Sequence, residues 1–206
     1  MRPCYVQYDR KYWDEPFNTV VGHKDAIETL KDLALPAIKN EDRALPESIM
    51  FVGPASVGKT HLAKTLSEVL QIISIFTDAT QIKTVEQLVD GILCEWAKEW
   101  GPLPVDETYN GIDYYDLCAT YVFIDEMQGL SNSVQEGLLK ATERNDGMLF
   151  SKVAILNCKL VTWVGATTDW CKLCVPFQTR FHRIQLYPLC TSEIEEIVRR
   201  ETGWND

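Results

Sequence analysis

The stretch Ser48-Ile49-Met50-Phe51-Val52-Gly53-Pro54-Ala55-Ser56-Val57-Gly58-Lys59-Thr60 decides the fold. Its first five residues form a short apolar run that Gly53-Pro54 ends. From Gly53 to Thr60 the chain fits G-x-x-x-x-G-K-[ST], a loop that wraps phosphate with backbone N–H groups. Glycine is needed where a side chain would come between backbone and ligand. The next segment, about Gly58 to Leu70, has Leu62, Leu66, Val69 and Leu70 at helical spacing, so a helix would aim its positive end at the same phosphates. Lys59 adds a point charge for the β and γ groups, and the Thr60 hydroxyl can ligate Mg²⁺. The strand before and the amphipathic helix after separate this match from a chance glycine-rich turn.

Outward from the loop, Tyr121-Val122-Phe123-Ile124-Asp125-Glu126 is an apolar run ending in two acids. Paired with a phosphate loop, it places Asp125 to hold Mg²⁺ through its water shell and Glu126 to orient and deprotonate an attacking water. Two adjacent acids point to hydrolysis rather than transfer to a small metabolite. Trp163-Val164-Gly165-Ala166-Thr167-Thr168 is a strand ending in hydroxyls, where a polar tip could hold water or sense a γ-phosphate. Pro176-Phe177-Gln178-Thr179-Arg180-Phe181 draws interest from its place in this order.

The rest of the chain alternates helix and strand, which predicts a parallel sheet covered on both faces. Helices are expected at Lys24–Leu35 with Pro36 just beyond, after the Thr84/Gln87 and Ser133/Glu136 capping patterns, and from Ser192/Glu195. Strands are expected at Ser48–Val52, Ile72–Thr77, Tyr121–Ile124, Leu160–Gly165 and Arg183–Tyr187. Gly101–Ala119, with Pro102, Pro104, Asn110-Gly111 and four acids, reads as an exposed acidic loop.

The 206 residues carry 20 Lys+Arg against 30 Asp+Glu, a formal charge of −10. A hydrophobic fraction of 46% can bury a full core, so disorder does not describe the chain. The acid excess disfavours a broad polyanion-binding face. The N-terminus MRPCYVQYDRKYW lacks an apolar signal core, and Val153–Ala166, broken by Asn157 and Lys159, is too short to span a bilayer. Seven scattered cysteines read as reduced thiols, which places the protein in a cytoplasm away from membranes. The lone Cys171-Lys172-Leu173-Cys174 and the unrelated positions of His23, His61 and His182 give no expectation of zinc.

The motif order resembles the large domain of AAA+ ATPases, and within them the RuvB branch of Holliday-junction motors. The likeness covers about Phe17 to Arg200. Val20-Val21-Gly22-His23, Ile124-Asp125-Glu126-Met127-Gln128-Gly129-Leu130-Ser131 and Val164-Gly165-Ala166-Thr167-Thr168 carry it. The resemblance implies an α/β P-loop NTPase with a five-stranded parallel sheet ordered 5-1-4-3-2 and flanked by helices. Residues 1–190 would form the nucleotide-binding domain, and 191–206 the start of a truncated or absent helical lid. It implies ATP and Mg²⁺ as cofactors, with nucleotide held by Gly53, Pro54, Ala55, Ser56, Val57, Gly58, Lys59, Thr60, His61, Val20 and Val21. Thr60 and Asp125 would serve the metal. Glu126 would be the base, Thr168 the sensor, and Arg180 a finger acting on a neighbouring subunit's ATP. A hexameric ring in DNA recombination, repair or replication follows, with DNA met through a partner or the ring lumen. The alternatives are a nucleotide-gated assembly or adaptor module with slow hydrolysis, and a clamp-loader-like subunit. The family hairpin before Trp163 is expected to be shortened.

Overall fold

This computed structural model describes residues 13–39, 44–45, 47–143 and 146–203; Cys4 and most of the N-terminal stretch quoted above lie outside them. The chain runs through α1 (Lys24–Lys39), β1 (Ser48–Val52), α2 (Lys59–Leu70), β2 (Ile73–Asp78) and α3 (Val85–Trp100). β3 (Glu107–Tyr109), β4 (Ile112–Asp116), β5 (Thr120–Asp125), α4 (Asn132–Ala141), β6 (Met148–Phe150) and β7 (Ala154–Asn157) follow. β8 (Val161–Thr167), the short α5 (Val175–Gln178), β9 (Phe181–Gln185) and α6 (Thr191–Thr202) complete it.

Alternation along β1 explains the layers. Successive strand side chains point to opposite faces, so Ile49 and Phe51 join one core cluster with Leu62 and Leu66, whereas Met50 and Val52 join the other with Val122 and Trp163. Every residue of β1 and β8 is buried, as expected for central parallel strands covered on both sides. The main sheet runs β2-β5-β8-β1-β9, all parallel. Numbered by the five core strands alone, this is the anticipated order 5-1-4-3-2. Two large buried groups are satisfied internally: Trp163 Nε1 donates to the Ala141 carbonyl at 3.1 Å, and the Tyr121 hydroxyl to that of Ala63 at 2.8 Å. Among the described residues, no helix is long and apolar enough to cross a membrane.

Four expectations are corrected. The first helix does not stop before Pro36; it runs on to Lys39, because Ala37 and Ile38 pack into the core. Gly101–Ala119 is not an exposed loop. Asn110 and Gly111 both have positive φ, 53° and 77°, the conformation of a two-residue hairpin turn, and they join β3 to β4. β4 then pairs with β7, and β7 with β6, giving a second sheet ordered β3-β4-β7-β6. The chain therefore has more than five strands, and the β6–β7 hairpin before Trp163 shares one sheet with the acidic β3–β4 hairpin. Acids of the hairpin find local donors: Thr108 Oγ1 donates to Asp113 at 2.8 Å, and Asn157 Nδ2 to Asp116 at 2.7 Å. Leu117, Cys118 and Ala119 are buried.

The other two corrections concern caps. α4 is capped by Ser131 rather than Ser133, with Ser131 Oγ accepting from Val134 N at 3.4 Å. α6 starts after Cys190, whose N–H donates to Glu193 at 2.8 Å, rather than at the Ser192/Glu195 pair. The Thr84 cap of α3 is present, its hydroxyl accepting from Gln87 N at 3.3 Å. Gln87 reaches back to Lys83 N at 2.7 Å.

Candidate functional site

The C-terminal ends of β1, β5 and β8 are neighbours in the sheet, with β8 in the middle, and the candidate residues sit at those ends. Gly53 leaves β1 with its N–H donated to Thr167 O at 3.2 Å. A Cβ there would meet the Leu186 carbonyl at 2.6 Å, so only glycine fits. Ser56 (φ 62°) and Gly58 (φ 92°) turn the loop through the left-handed region. Val57 is buried, and its carbonyl accepts from His23 Nε2 at 2.7 Å. A carbonyl cannot donate, so that nitrogen carries the proton.

Lys59 opens α2 with a side chain that is almost fully buried, and its ammonium donates to the Gly53 and Pro54 carbonyls at 3.0 and 2.6 Å. Burying a charge is costly unless it is hydrogen-bonded; the loop's own carbonyls do this and keep the cation inside the loop. Beside it, Thr60 Oγ1 donates to Asp125 Oδ2 at 2.8 Å. A hydroxyl and a carboxylate oxygen so close form a pair of hard donors that suits Mg²⁺, an ion that takes few protein ligands and keeps water or phosphate oxygens for the rest. Asp125 Oδ1 accepts from Glu126 N at 2.9 Å.

Glu126 itself lies at φ 50°, ψ 43°, sparsely used by non-glycine residues and frequent at functional sites. It starts a 3-10 turn, Met127–Gly129, pinned by fully buried Met127. Met127 Sδ lies over Gly165, where a Cβ would meet it at 2.4 Å. From this turn Gln128 reaches Glu126, Thr167 and Thr168. Thr167 ends β8 and is fully buried, whereas Thr168 is exposed beyond it.

Val20 and Val21 are half-buried, and Val20 packs against the cluster shared by α1 and α2. At Gly22 (φ 77°) a Cβ would meet Leu189 Cδ2 at 2.6 Å and Glu193 Oε1 at 2.9 Å. Arg200 Nη1 donates to Thr19 O at 3.1 Å. α6 therefore lies along the Thr19–His23 segment, with Glu193 from its first turn at Gly22 and Arg200 from its last turn at Thr19, and His23 links that segment to the phosphate-loop motif. His61 is exposed in the first turn of α2.

Arg180 stands apart. It precedes Phe181, which pairs with Ser48 at the start of β1, while the phosphate-loop motif follows Val52, which pairs with Gln185. Four residue steps at roughly 3.3 Å separate the two ends by about 13 Å. Arg180 Nη2 lies 3.6 Å from Glu143 Oε1. It lines a cleft of ≈ 850 Å³ with Glu47, Lys159, Trp163 and His182. Contacts with Lys140 and Arg180 hold the Glu143 carboxyl below its ordinary range.

The structure thus gathers Lys59, Thr60, Asp125, Glu126 and Thr168 at one end of the sheet and leaves Arg180 at the other. Gln128, Thr167 and His23 were missed as members of this site. The signal for Gln128 was its place two residues after Glu126 in a stretch already singled out.

No protein-family model matches the chain. Among solved structures, a variant of RuvB from Thermotoga maritima superposes with a TM-score of 0.66 at 24% identity, covering 90% of this chain and 53% of that one. The Thermotoga maritima RuvB Holliday junction branch migration motor gives 0.63 at 22% identity, covering 89% and 51%. The chain shares the fold of RuvB. It spans about half the length of these RuvB chains, and the shared fold is the P-loop NTPase sheet with its flanking helices.

Proposed function

We propose that this chain is an Mg²⁺-dependent ATPase domain that works in a ring of its own copies, in a setting of DNA recombination, repair or replication. The observation that carries the reading is the 2.8 Å contact between Thr60 and Asp125. It joins the first helical turn after the loop to the acidic strand tip, with Lys59 and Glu126 adjacent in sequence. In this reading the loop N–H groups and Lys59 hold the phosphates, and Thr60 and Asp125 hold the metal. Held by Thr60 and Asp125, Mg²⁺ would supply Lewis-acid neutralisation of the charge that develops on the phosphates. Glu126 takes the proton of the attacking water. Thr168 senses the γ-phosphate, Val20, Val21 and the neighbouring backbone flank the base, and His61 lies along the nucleotide.

Arg180 is too far from its own Lys59 to serve the same nucleotide, which supports a role on a neighbour's ATP. The DNA setting comes by analogy with the RuvB motor whose fold the chain shares. An acidic chain leaves DNA contact to a small patch, the ring lumen or a partner.

ATP turnover by the purified chain tests the reading. Lys59→Ala should abolish it, and Glu126→Gln should stop hydrolysis while nucleotide still binds. Turnover per chain should climb with protein concentration, and Arg180→Ala should be partly rescued by mixing with Lys59→Ala chains. Retained activity in Lys59→Ala would sink the assignment. Tight binding with negligible turnover at every concentration would mark a nucleotide-gated assembly module instead.

A further inference from the structure

Gln128 uses the whole hydrogen-bonding capacity of its amide at the candidate site. Its Nε2 donates to Glu126 Oε2 and to Thr168 Oγ1, the latter at 2.9 Å. Its Oε1 accepts from Thr167 Oγ1 at 2.6 Å and from Thr168 N at 3.3 Å. A primary amide offers two donors and two acceptor directions, and all four are taken. The partners also fix which way round the amide sits. A backbone N–H can only donate and an ionised carboxylate can only accept, so a flipped amide would face each with its own kind. Thr167 is in turn held by Asp169 N, which donates to its hydroxyl at 3.1 Å.

We propose that Gln128 is a positioning residue for hydrolysis, tethering the Glu126 carboxylate to the Thr167–Thr168 tip of β8. The proposal rests on the ATPase reading and deepens it. A glutamate side chain on a tight turn has rotamer freedom that is costly to lose, and a base must stand within hydrogen-bond reach of the proton it takes. Gln128 orders the side chain in advance. By occupying Oε2 it assigns proton uptake to Oε1. Because the same amide bonds the hydroxyl and N–H of Thr168, movement of the strand tip is transmitted directly to the base. Neither an alanine nor a second carboxylate can do this: the first lacks both functions, and the second lacks the donors and repels Glu126.

The test uses the full chain, with kcat, KM for ATP, the Kd of a fluorescent ATP analogue and the melting temperature measured together. Gln128→Ala should lower kcat on the order of tenfold, with KM and Kd held within about twofold, the pattern of an interaction that matters in the transition state. Gln128→Glu, nearly identical in shape, should lose at least as much, whereas a purely space-filling role would leave it active. Thr167→Val, which removes the hydroxyl that donates to Gln128 without changing size, should lower kcat in the same direction and covers the case of a Gln128 variant that fails to fold. Wild-type turnover with all folded variants unimpaired, or a rise in KM alone, overturns the proposal and leaves the ATPase reading standing. Absence of turnover in the wild type removes both.

Discussion

Gly165 shows how one missing methyl shapes this site. The residue lies in β8 beneath Met50 and Met127, both fully buried, and an added Cβ would stand 2.8 Å from Met50 Sδ and 2.4 Å from Met127 Sδ. Overpacking of this kind typically costs about 1–3 kcal/mol. Gly165→Ala should therefore lower the melting temperature by on the order of 5 °C and, in the proposed ATPase, reduce turnover as well, because Met127 anchors the turn that carries Glu126 and Gln128. An unchanged thermal unfolding curve would mean that the methionines move aside freely. The buried Lys59 makes a complementary point: its motif position is plain in the sequence, but its carbonyl partners are set by how the loop closes on β8.

At the scale of elements, helix ends separate what is readable locally from what is not. Pro36 lies within α1, where a ring without an N–H removes one helical hydrogen bond and crowds the carbonyl four residues earlier. Pro36→Ala should raise stability by about 1–2 kcal/mol once the lost unfolded-state restriction is discounted, measurable by urea denaturation. A fall instead would show that the helix bends there for packing.

α6 gives a pH test. The Cys190 backbone N–H holds the Glu193 carboxyl below its ordinary value of 4.5, and Arg200 does the same for Glu196. A carboxyl with a lowered folded value stabilises the structure above its unfolded value and loses that contribution as pH falls through the folded one. Protection of the α6 amides against hydrogen exchange, taken relative to the intrinsic rate at each pH, should accordingly hold down to about pH 4.5 and fall below it. Loosening that began well above pH 5 would assign the contact to another group.

For the whole molecule, the two sheets make distinct chemical environments for the thiols. Burial pushes the Cys158 thiol up to about 12, and Cys118 is also buried, while Cys94, Cys171 and Cys190 are exposed. Only the thiolate is strongly nucleophilic. Iodoacetamide at pH 8 should therefore modify Cys94, Cys171 and Cys190 long before Cys158, as read by peptide mass mapping. Early loss of Cys158 would show that the second sheet opens in the native state. The −10 charge takes on a more local meaning at this scale: several of its acids are tied into the β3–β4 hairpin, while the phosphate-loop motif exposes Pro54, Ala55 and Ser56 over a buried lysine.

Sequence alone marked the loop, strand-tip and hydroxyl residues and the runs of the five core strands, because each rests on local chemistry; the order of those strands came from the family resemblance that the motifs carry. A phosphate loop needs glycine, lysine and threonine at fixed spacing, and a buried parallel strand needs an unbroken apolar run. Tertiary structure alone decided the second sheet, since β3 and β6 are three residues long and have no periodicity until β4 and β7 pair with them. It also decided that Arg180 lies about 13 Å along the sheet from its own phosphate-loop motif, and that Gln128 meets threonines some forty positions onward. Such pairings join residues far apart in the chain. No local propensity encodes them; they exist only once parallel strands have set their tips side by side.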